Sequence, residues 1–471
     1  MKDSETPPAS VWILSALSGV LLALAFPPFD LWPLAWVALI PLFIAVRRCP
    51  NAKAAANCGG FGGLVFYVIG LHWLIKVFGP MAVAFWSIFA LWLALYAALL
   101  WRLEREVENE LAWALLAGVV WTGLEYFRSE VWRLNCSWLS LGYSQVPNSA
   151  LLQSCGLIGL YGLSGLIAST NAALSLLLKR RRHPAFAALA ALSVLAVWGR
   201  HRISAFSTNQ GRPLKVALVQ DESYDLERLA KLSLGESARD AQLLVWPEYS
   251  FTVQAGQEDS YLKLLARRLR GTKAVAVLGG AIFPEDMKKG KEQNFAWVLS
   301  PDGALLGRYD KLHPIPYVEK LLASNPAPHP VSTPLGKLGI QICYDLDFEN
   351  GTRRMVNEGA ELLVVPNIDP SEWGKLQHRQ HSGMSPVRAV ESGLWIARAA
   401  SSGISQIIDP TGRIAGSLPA GESGVLIGTV RLVQPGTFYT RCGWLFAPFC
   451  LIVTLLGIGW SIARRAARAF S

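Results

Sequence analysis

Gly339-Ile340-Gln341-Ile342-Cys343-Tyr344-Asp345-Leu346-Asp347 is the stretch on which the reading of this chain turns. Leu338, Ile340 and Ile342 form an apolar run that leads into a cysteine, after which the residues turn polar. The pattern predicts a buried strand ending at an elbow, with Cys343 presented at its C-terminal edge. A thiolate is a strong nucleophile and a good leaving group, so it can carry an acyl group as a thioester. The same cysteine also reads as a small core hydrophobe, which free cysteines often are. The surrounding sequence decides between the two.

Outward from Cys343, residues 213–435 read as one α/β domain. Short β-rich runs recur at 215–219, 242–246, 274–278, 295–299, 338–343, 362–365 and 405–408, with helix-like stretches at 259–269 and 351–358. Strands mixed with helices predict a mixed sheet packed against helices. Two further polar residues stand at the ends of apolar runs. Leu243-Leu244-Val245-Trp246-Pro247-Glu248 puts Glu248 just past a strand that Pro247 prevents from continuing. Tyr309-Asp310-Lys311-Leu312-His313 follows the strand and turn of 297–307. A carboxylate, an ammonium and a thiol at strand ends on one sheet edge suit acyl transfer. Glu248 would take the thiol proton, Cys343 would attack a carbonyl, and Lys311 would stabilise the oxyanion with a backbone N–H beside Cys343. Singly, Glu248 also reads as a helix cap and Lys311 as a solvated surface residue.

The flanks have a different composition. Of 471 residues, 52% are hydrophobic and only 17% charged, with 18 Trp, and the mean hydropathy is +0.31. Charged residues make up about a quarter of an ordinary globular chain. The apolar excess lies at the two ends and predicts eight membrane spans, at 11–26, 31–46, 59–75, 80–101, 111–124, 150–178, 184–199 and 442–463. The resulting organisation is a membrane domain of seven transmembrane helices over 1–205, a catalytic domain over 213–435, and an eighth helix with a basic tail over 442–471. The N-terminus has a poor signal-peptide start, so its first apolar run is expected to be retained.

The net charge of +10 raises nucleic acid as a partner, but no basic stripe with interleaved aromatics occurs and none is expected to bind. Many of the cations instead cluster beside apolar runs. Arg47-Arg48, Arg102 with Arg105, Lys179 to Arg182, and Arg464, Arg465 and Arg468 follow spans two, four, six and eight. The positive-inside rule makes that side cytoplasmic and puts the 213–435 domain outside. The cluster from Arg200 to Arg202 falls on the outer side, where lipid headgroups can hold its charge. Of seven cysteines, only Cys343 lies in the long polar section, so no disulfide forms within it. His378 and His381 share a helix face, but no third ligand accompanies them and no metal or other cofactor is expected. Trp32, Trp36, Trp73 and Trp138 read as interfacial or packing residues.

Trp-Pro-Glu at 246–248, Tyr-x-Lys-x-His at 309–313 and Ile-Cys-Tyr-Asp at 342–345 resemble, in order and spacing, the Glu-Lys-Cys triad of the carbon–nitrogen hydrolase (nitrilase) superfamily. The resemblance extends to Ala399-Ala400-Ser401-Ser402-Gly403-Ile404 and Asp409-Pro410-Thr411-Gly412. It implies an α-β-β-α sandwich joined here to a multi-span α-helical membrane domain. The segments 25–35 and Ser137-Trp138-Leu139-Ser140-Leu141-Gly142-Tyr143-Ser144-Gln145 are similar to the apolipoprotein N-acyltransferase family, as is a nitrilase domain between spans seven and eight.

That resemblance implies a ping-pong reaction at the outer face of a bacterial inner membrane. Cys343 would take an acyl chain from a phospholipid and pass it to the N-terminal amine of a diacylglyceryl-cysteine on an apolipoprotein. Glu248 and Lys311 complete the triad, with Glu319, Tyr344 and Asp345 supporting it, in a protein expected to be monomeric. The family's Cys-Tyr-Glu is Cys343-Tyr344-Asp345 here, and its Asn-Asp-x-Trp segment becomes Asn367-Ile368-Asp369-Pro370-Ser371-Glu372-Trp373. Its Pro-Phe-Gly-Glu is Pro316-Tyr317-Val318-Glu319, and Arg441-Cys442-Gly443-Trp444 replaces Gly-Asp-Trp. A membrane-tethered amidase with the same triad, or a paralogue acylating another amine, is the competing expectation. Tethering needs one span rather than eight. A decayed scaffold conflicts with the intact polar set, and no charged pair at a span's midpoint suggests transport.

Overall fold

The computed structural model describes residues 7–206, 210–286, 290–319, 328–434 and 436–469, with side chains as far as 463. Arg464, Arg465 and Arg468, expected as the last basic cluster, therefore lie outside the described side chains. The chain divides into two compact units, Met1–Ile203 with Cys442–Ser471, and Ser204–Arg441.

The first unit is helical. Among the described residues, five helical stretches are long and apolar enough to cross a membrane: Ala52–Gly70, Leu74–Glu106, Cys155–Lys179, His183–Ala205 and Gly443–Ala463. Ala9–Leu24 is a shorter apolar helix, and Glu110–Tyr126 runs on into a π turn over Phe127–Val131. The span expected over 31–46 is not one helix. It is a 3-10 turn, Trp32–Trp36, followed by the nine-residue helix Ile40–Arg48. Pro33 and Pro41 each sit in a first turn, because proline lacks the N–H that a helix interior requires. Asn171 fills the break, its Nδ2 donating to the Ala35 carbonyl at 2.8 Å while its Oδ1 accepts from the Leu39 N–H at 2.9 Å. Irregular backbone at membrane depth needs internal partners of this kind.

The two sequence motifs of this unit meet. Trp36 Nε1 donates to Gln145 Oε1 at 2.9 Å, and Gln145 Nε2 donates to the Trp32 carbonyl at 3.2 Å. The segment Ser137–Gln145, which ends in a 3-10 turn over Leu141–Gln145, is held further by Glu125 and Arg128, two buried charged residues that hydropathy alone did not single out. Glu125 accepts the Leu141 N–H at 2.8 Å, and Arg128 donates to Ser140 Oγ at 3.1 Å and to Tyr67 Oη at 2.7 Å. Trp73 and Trp138 pack with ring centroids 4.7 Å apart. Three of the basic clusters converge at one end, where Glu104 pairs with Arg47 at 3.1 Å and with Lys179 at 2.5 Å. Arg202 donates to the Gln153 carbonyl at 3.2 Å, so this cation has a protein partner.

Among its described residues the second unit holds two sheets, as the α-β-β-α sandwich implied by the resemblance has, where the strand pattern alone read as one mixed sheet. Its strands are β1 Arg212–Gln220, β2 Leu243–Val245, β3 Phe251–Gln254, β4 Val275–Phe283, β5 Gln293–Leu299 and β6 Leu305–Asp310. Then follow β7 Val331–Thr333, β8 Gly336–Ile340, β9 Leu362–Asn367, β10 Ile396–Ala400, β11 Ser405–Ile408, β12 Ile414–Leu418 and β13 Gly424–Leu432. The first sheet has the order β13-β1-β2-β4-β5-β6, with β3 on β4, and the second β12-β11-β10-β9-β8-β7.

Period-two alternation explains the layering. On β1 and β2, Val216, Leu218, Leu243 and Val245 share a core with Leu338 and Ile340 of β8. The intervening Ala217, Val219 and Leu244 pack with Leu229 of helix Leu226–Leu234 and Leu265 of helix Glu258–Arg268. Parallel neighbours β1, β2 and β4 in one sheet, and β8, β9 and β10 in the other, bring their carboxyl ends to bear on one site.

Candidate active site

Glu248 follows β2 after Trp246 and Pro247. Trp246 is fully buried and anchors this exit, its Nε1 donating to Ser233 Oγ at 2.8 Å. Lys311 is the first residue past β6, fixed by its own N–H to the Asn294 carbonyl at 2.9 Å. Both belong to the first sheet. Cys343 follows β8 of the second sheet, so the three do not share one sheet edge as the strand pattern suggested; they meet across the sandwich. Strand pairing between distant segments decides this, and a local apolar run carries no record of it.

β8 ends at Ile340, short of the 338–343 run expected, and Cys343 opens a 3-10 turn, Cys343–Asp347, with φ of 51°. A non-glycine residue in the left-handed region is strained and persists where its surroundings over-determine it. Asp345 supplies much of that constraint. Its Oδ2 accepts from the Ile342 N–H at 3.1 Å and from Tyr309 Oη at 2.9 Å. Its Oδ1 accepts from the Leu312 N–H at 3.1 Å and the His313 N–H at 2.8 Å. One carboxylate thus ties the Cys343 elbow to the segment that carries Lys311. Asp in place of the longer Glu serves this short-range clamp. Tyr344 packs edge-on against Phe348 with centroids 5.1 Å apart, and His313 stacks on the same ring at 4.1 Å.

Lys311 Nζ donates to Glu248 Oε1 at 2.8 Å and to both Glu319 oxygens, at 2.8 and 2.9 Å. Glu319 in turn accepts the Ile315 N–H at 2.7 Å. Glu248 has two more donors that sequence reasoning missed: Asn294 Nδ2 to Oε1 at 2.6 Å, and the Ile368 N–H to Oε2 at 3.0 Å. Asn294 had a faint signal, as an amide at the start of an apolar strand. The Ile368 contact is backbone and has none. The thiol donates from Cys343 Sγ to the Ile368 carbonyl at 3.5 Å. Glu248 is 0% exposed, and Lys311 and Cys343 are each 1%, so water does not screen these charges.

Burial pushes the Glu248 carboxyl above the ordinary carboxylate range, although the Lys311 ammonium draws it back. Burial alone would lower Lys311, but Glu248 and Glu319 outweigh it and hold the ammonium charged well above the usual lysine range. Burial, then the Glu248 charge, push the Cys343 thiol well up, against the pull of Lys311. A neutral thiol beside a carboxylate made more basic than usual is an arrangement that can supply a nucleophile and its base. Lys311, positively charged throughout, is suited to meet an oxyanion.

His378 and His381 lie on helix Lys375–Ser382, and each has a protein partner. His378 Nε2 bonds the Pro370 carbonyl at 3.0 Å and His381 Nδ1 bonds Asp369 Oδ1 at 2.6 Å. Among the described residues no group of three or more His, Cys, Asp or Glu is arranged to hold a metal ion.

Comparison with known proteins gives matches over nearly the whole chain. The description "Apolipoprotein N-acyltransferase N-terminal domain" matches residues 18–173, and "Carbon-nitrogen hydrolase" matches 208–437. The chain is 33% identical to an apolipoprotein N-acyltransferase of Geobacter metallireducens, over 96% of this chain and 95% of that one. It is 30% identical to the same-named protein of Azotobacter vinelandii, over 97% and 95%. Among solved structures, a carbon-nitrogen hydrolase from Helicobacter pylori G27 is 18% identical, with a TM-score of 0.41, over 47% of this chain and 90% of that one.

Proposed function

The chain belongs to the apolipoprotein N-acyltransferase family, and on that premise we propose that it is a membrane N-acyltransferase that acylates lipoproteins through a thioester on Cys343. The donor is a phospholipid. Glu248 takes the thiol proton as Sγ bonds to the ester carbonyl carbon, and Lys311 with a backbone N–H beside Cys343 bears the charge on the oxygen. The carbon–oxygen bond to the glycerol breaks, Glu248 returns the proton to the departing oxygen, and a lysophospholipid leaves. In the second half the α-amine of a diacylglyceryl-cysteine attacks the thioester carbon. The carbon–sulfur bond breaks, the amine's proton passes through Glu248 to the sulfur, and an amide remains. Exclusion of water from the site favours the amine over hydrolysis.

The observation that carries this reading is the buried set in which Lys311 bridges Glu248 and Glu319 beside Cys343. Glu319 neutralises and orients Lys311, Asp345 holds the elbow, and Tyr344 adds packing beside the nucleophile. The protein acts as a monomer in the bacterial inner membrane, spanning it eight times with the catalytic unit on the outer face. The meeting of Arg47 and Lys179 at Glu104 supports a single cytoplasmic end for the basic clusters.

Intact-mass spectrometry tests the first half-reaction, with wild type and Cys343→Ala incubated with phosphatidylethanolamine. The expected result is an acyl-sized, hydroxylamine-labile adduct on wild type alone. No adduct, together with no acylation of a diacylated lipopeptide, would overturn the reading and turn attention to small amides.

A further inference from the structure

The backbone of Ile368 touches both reacting groups, its N–H held by Glu248 Oε2 at 3.0 Å and its carbonyl receiving the Cys343 thiol at 3.5 Å. Ile368 is the loop residue just past β9, so strand pairing alone does not fix that orientation. The next residue does. Asp369 is fully buried, and four donors converge on its carboxylate. Oδ1 accepts from His381 Nδ1 at 2.6 Å and from Gln377 Nε2 at 3.0 Å. Oδ2 accepts from an Arg398 guanidinium nitrogen and from Asn367 Nδ2, each at 2.8 Å. Its backbone carbonyl accepts the Ser402 hydroxyl. Gly403 lies so close that a Cβ there would fall 2.3 Å from Asp369 Oδ2.

We propose that Asp369, locked by His381 and Arg398, is a positioning residue that sets the Ile368 backbone so that base and nucleophile are held in register for proton transfer. The inference rests on the acyl-transfer reading of Cys343 and deepens it. Asn367 donates from β9 itself, and the other three donors come from the helix Lys375–Ser382 and from β10, two elements outside the triad, so alignment of the site depends on how they dock. An N–H donated to Glu248 favours its ionised form, which is the form that accepts the thiol proton. The histidine pair that looks like a metal motif in sequence is, on this reading, partly an anchor for the loop beside the nucleophile.

The test uses the full-length protein in detergent and two readouts of Cys343: its iodoacetamide alkylation across pH, followed by peptide mass spectrometry, and acyl-enzyme formation from phosphatidylethanolamine. In His381→Ala the acid limb of the alkylation profile moves to higher pH and thioester formation slows roughly tenfold to a hundredfold, the range for small misplacements at a reacting centre. His381→Asn, whose amide nitrogen falls near the position of Nδ1, restores both to within about threefold, less than one pK unit's worth of interaction. Simple destabilisation would lower the amplitude at every pH without moving the limb.

An unmoved limb and unchanged thioester formation in a folded His381→Ala overturn the proposal. Should that variant fail to accumulate, Gln377→Ala removes a single donor, and an unmoved limb there overturns it equally. If wild type alkylates but never forms the thioester, while His381→Ala still moves the limb, the positioning role stands and the acyl-transfer reading falls.

Discussion

Lys311 makes the clearest demand on this site. It is one ammonium between two carboxylates in a region that water does not reach. Removing it in Lys311→Met strands Glu248 and Glu319, and breaking a buried pair in this way costs about 3–5 kcal/mol. The variant should melt at lower temperature and also form the thioester about a hundredfold or more slowly, as expected for loss of an oxyanion partner. Pulse labelling with phosphatidylethanolamine alongside thermal unfolding separates the two effects. The pH dependence has a definite sign. Glu248 is raised, so thioester formation should switch on as pH climbs above the ordinary carboxylate range rather than within it. Lys311 is raised as well. Its contribution to stability is complete below the unfolded lysine value of about 10.4 and is lost only as pH rises through the higher folded value. A rate profile with an acid limb at or below pH 4 would contradict the assignment of Glu248 as base.

Between elements, helix Ala9–Leu24 and helix Ala52–Gly70 approach until backbones nearly touch. A Cβ on Gly62 would lie 2.7 Å from the Ser15 carbonyl oxygen, and one on Gly19 would lie 2.3 Å from that of Gly62. Small residues allow such contact in a membrane, where packing and interhelical hydrogen bonds replace the hydrophobic effect. Ser15 Oγ uses the closeness to donate to the Cys58 carbonyl at 2.5 Å. Gly62→Val should push the helices apart and cost about 1–3 kcal/mol, the usual range for overpacking. A lowered unfolding temperature in detergent micelles is the expected outcome; an unchanged one would mean that the helices separate without loss. The strap of Asp345 across the Cys343 elbow and the Lys311 segment is the corresponding device in the catalytic unit, built from a carboxylate instead of a missing side chain.

At the level of the whole molecule, the proposed orientation predicts which surfaces reagents reach. Lys231→Cys and Arg180→Cys both alter exposed residues. In a background lacking the exposed Cys442, a membrane-impermeant maleimide should label Lys231→Cys in cells with a permeabilised outer membrane. Arg180→Cys should label only after the inner membrane is broken, since positively charged loops stay cytoplasmic. The reverse pattern would invert the topology.

The sequence by itself determined what composition and local pattern can carry. Apolar runs marked the helical unit, short β-rich runs marked the strands of the second unit, and Trp-Pro-Glu, Tyr-x-Lys-x-His and Ile-Cys-Tyr-Asp singled out three strand ends and the family. These signals are legible because each is contained within a few consecutive residues whose chemistry does not depend on distant partners. The tertiary structure alone decided that Cys343 stands on a different sheet from Glu248 and Lys311, because register between strands far apart in sequence leaves no local trace. It decided that 31–46 breaks into two short helices, because Asn171, more than a hundred residues away, takes the Ala35 carbonyl and the Leu39 N–H, the pair that a continuous helix would have joined to each other. It also decided that His381 faces Asp369 and that the Ile368 backbone lies between base and thiol. Hydrogen bonds of the main chain belong to every residue type alike, so no sequence pattern could have announced that one.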